Sequence, residues 1–135
     1  MISLPLILEN NSVNAIFEDC ISTLDIMPIV KWQSPIFVEM VELNPKIGYW
    51  LFSPTTTSCN ISGIPISNTT LTLKAGWNMG GSLSDINNLN ISLVPNQVEI
   101  RSAVTWQSPL FVETDIIEPG KSAWVFVTQK TEVEI

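Results

Sequence analysis

Val30-Lys31-Trp32-Gln33-Ser34-Pro35-Ile36-Phe37-Val38-Glu39 returns 74 positions later as Val104-Thr105-Trp106-Gln107-Ser108-Pro109-Leu110-Phe111-Val112-Glu113. The register then holds: Pro45 matches Pro119, Trp50 matches Trp124 and Phe52 matches Phe126, so 11 of the 23 positions from Val30 to Phe52 are identical in the later copy. Self-similarity at a fixed displacement is the mark of a repeated structural unit. Upstream the match is looser. Met1-Ile2-Ser3 aligns with Met79-Gly80-Gly81, and Ser12-Val13-Asn14-Ala15-Ile16 with Ser82-Leu83-Ser84-Asp85-Ile86, with an insertion in each copy.

The repeated block reads as β structure. Ile36 to Leu43 places carboxylates at solvated positions of a strand, and Leu110 to Ile117 is its counterpart. Val98 to Val104 largely alternates and is expected to pair with Leu110 to Ile117 as a hairpin. Tyr49-Trp50-Leu51-Phe52 and Ala123-Trp124-Val125-Phe126-Val127 are aromatic and aliphatic runs that predict strands buried on both faces or nearly so. Thr69 to Met79 predicts the opening strand of the second copy. In Glu118-Pro119-Gly120-Lys121, proline fixes φ near −65° and glycine accepts a positive φ, the requirements of a type II turn. Lys46 stands where that glycine would be in the first copy, so a type I turn, or a longer loop using Gly48, is expected there. Helix is confined to short turns, at Ser12 to Cys20 and Ser82 to Asn88, each opening on a serine N-cap. The fold class is all-β, as two tandem homologous β-sandwich or barrel-like repeats. Residues 1–57 form the first repeat, 58–68 a linker and 69–135 the second.

Gly76-Trp77-Asn78 and, further on, Glu118-Pro119-Gly120-Lys121-Ser122-Ala123-Trp124, together with Asn44-Pro45-Lys46-Ile47-Gly48-Tyr49-Trp50, carry a family likeness. The chain resembles a repeat of secreted and cell-surface proteins of archaea and bacteria that reads "GWN" and then "PGKGYW". Each copy keeps the half of the terminal motif that the other lacks. The resemblance implies β-rich extracellular modules and no active site.

Composition bounds the rest. The chain has 135 residues, 45% of them apolar, which is ample for a packed core and excludes disorder. Charged residues make up 14%, against about 25% in soluble domains at large, so Asn, Ser and Thr supply the polar surface. Thirteen carboxylates against six basic residues give a formal charge of −7. The basic residues (Lys31, Lys46, Lys74, Arg101, Lys121 and Lys130) are scattered, which excludes phosphate tracking along a nucleic acid and attraction to an anionic membrane. No apolar run reaches the roughly 20 residues that cross a bilayer as a helix.

Two features point to an exported, oxidising setting. Asn-x-Ser/Thr acceptors stand at Asn10, Asn60, Asn68 and Asn90, although an Asn- and Ser-rich chain also makes such triplets by chance. Cys20 and Cys59 either close a disulfide loop or remain buried thiols. No intact signal peptide is present, so an exported chain is expected to have lost its leader.

The first copy begins at Met1, just after the position of "GWN", so its opening strand is expected to be missing or supplied elsewhere. An unpaired sheet edge is a template for another chain. Thr131-Glu132-Val133-Glu134-Ile135 alternates past the last matched residue and predicts a strand. It serves either as an assembly strand for a neighbouring subunit or as a return onto the first copy of the same molecule.

Chemistry is thin. Without histidine, Ser-His-Asp and Cys-His sites are excluded, as are most zinc sites. No Gly-rich phosphate loop occurs, and no cofactor is expected. Glu113 with Asp115, and Glu39 with Glu42, read as outward charges rather than a glycosidase pair; calcium binding by scattered Asp and Glu stays open, with no EF-hand pattern to support it. Trp32, Trp50, Trp77, Trp106 and Trp124 read as equivalent core fillers, since a fold needs the same residue in each copy. The competing reading gives Trp32 and Trp106 flat faces for sugar stacking. The expected function is therefore non-enzymatic and extracellular: a surface-layer, adhesin or filament subunit that self-associates or meets neighbouring surface proteins. A carbohydrate-binding module is the alternative.

Overall fold

A computed structural model describes residues 1–20, 28–66, 70–85, 87–91 and 100–134. In chain order, the first half carries β1 (Ile2–Ser3), β2 (Leu6–Ile7), a helix α1 (Val13–Ile16), a 3-10 turn (Glu18–Cys20), β3 (Val30–Gln33), β4 (Ile36–Glu39), β5 (Gly48–Tyr49) and β6 (Ile64–Pro65). The second carries β7 (Thr70–Leu73), β8 (Gly76–Gly81), β9 (Leu89–Asn90), β10 (Ile100–Gln107), β11 (Leu110–Glu113), β12 (Ile116–Ile117), β13 (Ser122–Val127) and β14 (Thr131–Glu134). The class is all-β. One sheet has four strands, in the order β11-β10-β13-β8, and the others are two-stranded ribbons. None of the described sheets closes on itself, so no barrel forms among the described residues.

The pairings recur with the sequence displacement. In β3–β4, Val30 faces Glu39 and Trp32 faces Phe37; in β10–β11, Val104 faces Glu113 and Trp106 faces Phe111. Both hairpins turn on a cis Ser-Pro bond, at Ser34-Pro35 and Ser108-Pro109, the arrangement of a type VI turn. Val30 bridges Trp50 through main-chain bonds of 3.1 and 2.8 Å, and Val104 is opposite Trp124.

Further upstream a displacement of 78 applies. Ser3 faces Gly48 as Gly81 faces Ser122, and Ile2 faces Tyr49 as Gly80 faces Ala123. Val13 N–H donates to Val41 O as Ile91 N–H donates to Asp115 O. Ser12, which bridges Glu42, therefore corresponds to Asn90, which pairs with Ile116, and not to Ser82 as the sequence alignment had it.

The halves cross reciprocally. Ser3 N–H donates to Gly120 O and Gly81 N–H to Lys46 O, each at 2.9 Å. These crossings hold both turn carbonyls in one direction, and Lys46 accordingly takes φ 71° beside φ 75° at Gly120. The expected type I turn or longer loop is overturned: lysine accepts the left-handed conformation, and its Nζ donates to Thr70 O at 3.3 Å. Gly48 serves close approach instead, since a Cβ there would lie 2.8 Å from Ser122 Cβ.

Each half has its own apolar core. In the first, Leu4, Ile16, Phe17, Cys20, Ile29, Leu43 and Tyr49 pack together. In the second, Leu83, Leu89, Ile91, Ala103, Ile117, Ala123, Val125 and Val127 pack with Leu71, Leu73 and Val133. Alanine at 123 replaces tyrosine at 49, and the second core also takes in the apolar side chains of β7 and β14.

Ser12 caps α1 as expected, its Oγ accepting from Ala15 N–H at 3.3 Å. No helix forms in the described part of Ser82 to Asn88. Ser82 Oγ instead accepts from Gly120 N–H at 3.1 Å and meets Ser3 Oγ at 3.1 Å, so it is not available as a cap. The predicted opening strand breaks into β7 and β8. Gly76 adopts φ 99°, and Asn78 clamps the bend: its Oδ1 accepts from Lys74 N–H and its Nδ2 donates to Lys74 O and Gly76 O. The proposed linker is tied to the first half, through β6 pairing with β2 and through Cys59.

Candidate functional site

Strand alternation decides where the tryptophans go. Along β13, Ala123, Val125 and Val127 are buried against the second core, so Trp124 and Phe126 project from the opposite face. Residues directly opposite each other in an antiparallel ladder share a face. Trp77, opposite Phe126, and Val104, opposite Trp124, therefore join that face, and Trp106 and Phe111 continue it. The four-stranded sheet has an apolar core on one side and an aromatic surface on the other.

The first half packs on that surface with its own equivalents. Trp32 meets Trp124 at 5.7 Å between ring centroids, and Trp50 meets Trp106 at 5.7 Å. Phe37 lies 6.1 Å from Trp124, and Phe111 lies 6.0 Å from Trp50. Each hairpin thus clasps the tryptophan of the other half. All these contacts are edge-to-face, the geometry favoured by the ring quadrupole and worth about 0.5–1.5 kcal/mol per pair beyond area burial.

Two aromatic clusters result. Trp32, Phe37, Trp77, Trp124 and Phe126 form one, and Trp50, Trp106 and Phe111 the other. Both contribute to an open cleft of about 710 Å³, to which Val30 and Val104 add aliphatic surface. Every described residue lining the cleft is apolar.

The expectation that the five tryptophans fill core positions is corrected. None belongs to either buried cluster; Trp32, Trp50, Trp106 and Trp124 are half-buried, and Trp77 is 44% exposed. The indole repeats because both halves build one surface from equivalent strands. Phe37, Phe111, Val30 and Val104 were not singled out in sequence, although their alternation with Trp32 and Trp106 is the signal that places them on the tryptophan face.

Cys20 and Cys59 are joined as a disulfide, with Cα atoms 5.6 Å apart. Asn60 is exposed. Asn10 is exposed as well, with its Oδ1 accepting from Ser12 N–H at 3.0 Å. Asn90 is half-buried in β9, and Asn68 lies outside the described residues. Glu39, Glu42, Glu113 and Asp115 are all exposed. Among the described residues no group of three or more Cys, Asp or Glu could hold a metal ion, and no helix is long and apolar enough to cross a membrane.

The expected assembly strand is paired within the chain. Thr131 faces Leu73, Glu132 faces Thr72, Val133 faces Leu71 and Glu134 faces Thr70. It returns to the second half rather than the first, because Val133 joins Leu71 and Leu73 in that core. Ile135 lies outside the described residues.

Comparison with protein-family models, with curated proteins and with solved structures gives no match to this chain.

Proposed function

We propose that this chain is a non-enzymatic extracellular structural module, made of two copies of one β unit, that associates with further copies of itself or with neighbouring surface proteins. One observation carries the reading. The two hairpin tips expose equivalent apolar side chains, Ile36 (61%) with Phe37 (47%), and Leu110 (66%) with Phe111 (49%). Ile36 and Leu110 belong to neither core, and burying such a side chain yields about 1.5–3 kcal/mol. Large apolar residues held at the tip of both hairpins suit contact surfaces. The disulfide, the exposed Asn60 acceptor and the resemblance to "GWN … PGKGYW" surface repeats support an extracellular setting.

Light scattering over a concentration series tests it. The wild-type chain is expected to gain mass with concentration, and an Ile36→Ser/Leu110→Ser variant to remain monomeric. A wild-type chain that stays monomeric alone and with envelope material from its source removes the reading.

The glycan reading draws on the partial exposure of the tryptophans. Among the described residues the lining offers indole N–H as its only side-chain donor and no acceptor, which weighs against it, since sugar sites combine stacking with several polar groups that fix orientation. Tryptophan fluorescence that shifts on adding a soluble polysaccharide would favour it.

A further inference from the structure

We propose that the aromatic cleft between the two halves is a binding site for an organic cation, of the quaternary ammonium type, carried on an apolar body. Three observations converge on this class of ligand. The first is the wall material: six of the eight described lining residues are indole or phenyl rings, drawn from both clusters, and their π faces carry the negative end of the ring quadrupole. Such faces attract a cation lying within about 6 Å of the ring centroid, most strongly when the cation is weakly hydrated.

The second is charge placement. Glu39 is directly opposite Val30 and Glu113 directly opposite Val104, so each carboxylate shares the face of a valine that borders the cleft. Both are exposed, one from each half. Among the described residues no lysine or arginine lines the cleft, and Lys31, the basic residue of β3, is on the strand face opposite Val30 and Trp32. The third is size. A cleft of about 710 Å³ falls within the range of pockets that take small organic ligands. An anionic ligand would be repelled by the two carboxylates that share the valine face, whereas a cation with an apolar body suits rings and carboxylates together.

The test uses two probes of matched shape, choline and its uncharged isostere 3,3-dimethylbutan-1-ol, titrated into the intact chain and followed by tryptophan fluorescence. Choline is expected to bind roughly tenfold more tightly than the alcohol, with the margin shrinking at high salt because the carboxylates are exposed. A Glu39→Gln/Glu113→Gln variant, with folding checked by circular dichroism, is expected to lose most of that margin while binding the alcohol as before. Equal affinity for the two probes, no response to either, or an undiminished margin in the double variant overturns the proposal. The hairpin-tip reading is read out separately by mass, and Ile36→Ser/Leu110→Ser leaves the cleft lining untouched, so failure of one does not imply failure of the other.

Discussion

Lys46 and Gly120 occupy the same left-handed turn position in the two halves, at φ 71° and 75°, with their carbonyls accepting equivalent bonds from Gly81 and Ser3. A side chain in that conformation costs about 1–2 kcal/mol, which glycine avoids. Gly120→Ala is expected to lower stability by about 1 kcal/mol through the backbone alone, since a Cβ there meets nothing within 4 Å. Lys46→Gly is expected to raise it by about 0.5 kcal/mol, the loss of the Lys46–Thr70 bond taking back part of the gain. Urea denaturation midpoints check both signs.

Gly81 marks the crossing of the halves. A Cβ at this position would lie 2.6 Å from Ser3 Cβ and 3.0 Å from Ile47 O, backbone and near-backbone atoms that cannot swing away. Gly81→Ala is therefore expected to destabilise by about 2–3 kcal/mol, well beyond the effect at Gly120. A thermal melt within a degree of wild type would show that the halves do not meet there.

The Cys20–Cys59 bond spans 39 positions of chain. Loop-closure entropy for such a span corresponds to about 4 kcal/mol of restraint on the unfolded chain. Cys20→Ser/Cys59→Ser is expected to lose about 2–4 kcal/mol, and reducing agent to lower the wild-type denaturation midpoint while leaving the double variant unchanged.

Tyr49 is the one tyrosine of the chain, and it is fully buried. Burial pushes its phenol above the ordinary value of 10, against a smaller opposing pull from the Asn44 N–H that donates to its oxygen at 2.8 Å. The folded phenol thus keeps its proton to higher pH than the unfolded one. The associated stability is complete below pH of about 10 and is lost as pH rises through the folded value. Ultraviolet titration should show one phenol ionising late in the folded chain and at the ordinary pH in denaturant.

The hairpin of the second half was legible because its contacts are local: Trp106 and Phe111, which face each other in it, are only five residues apart. The break between β7 and β8 escaped, although Gly76 and Asn78 carried it, because a positive φ and an amide clamp on Lys74 do not alter hydrophobic pattern. The placement of the tryptophans escaped for a different reason. Half-buried aromatic residues on a second sheet face have the same alternation as core residues, and only the pairing of Trp32 with Trp124 across the molecule distinguishes the two. The closing strand was read as a strand from its alternation, but its partner, Thr70–Leu73, was set by the room that Leu71 and Leu73 offered Val133.

The reciprocal clasp is what builds the aromatic cleft, and through-space proton contacts between assigned indole rings in solution test it most directly. Cross-peaks are expected between Trp32 and Trp124 and between Trp50 and Trp106, with no direct Trp32–Trp50 or Trp106–Trp124 contact. Contacts confined within each half, Trp32 with Trp50 and Trp106 with Trp124, would contradict it.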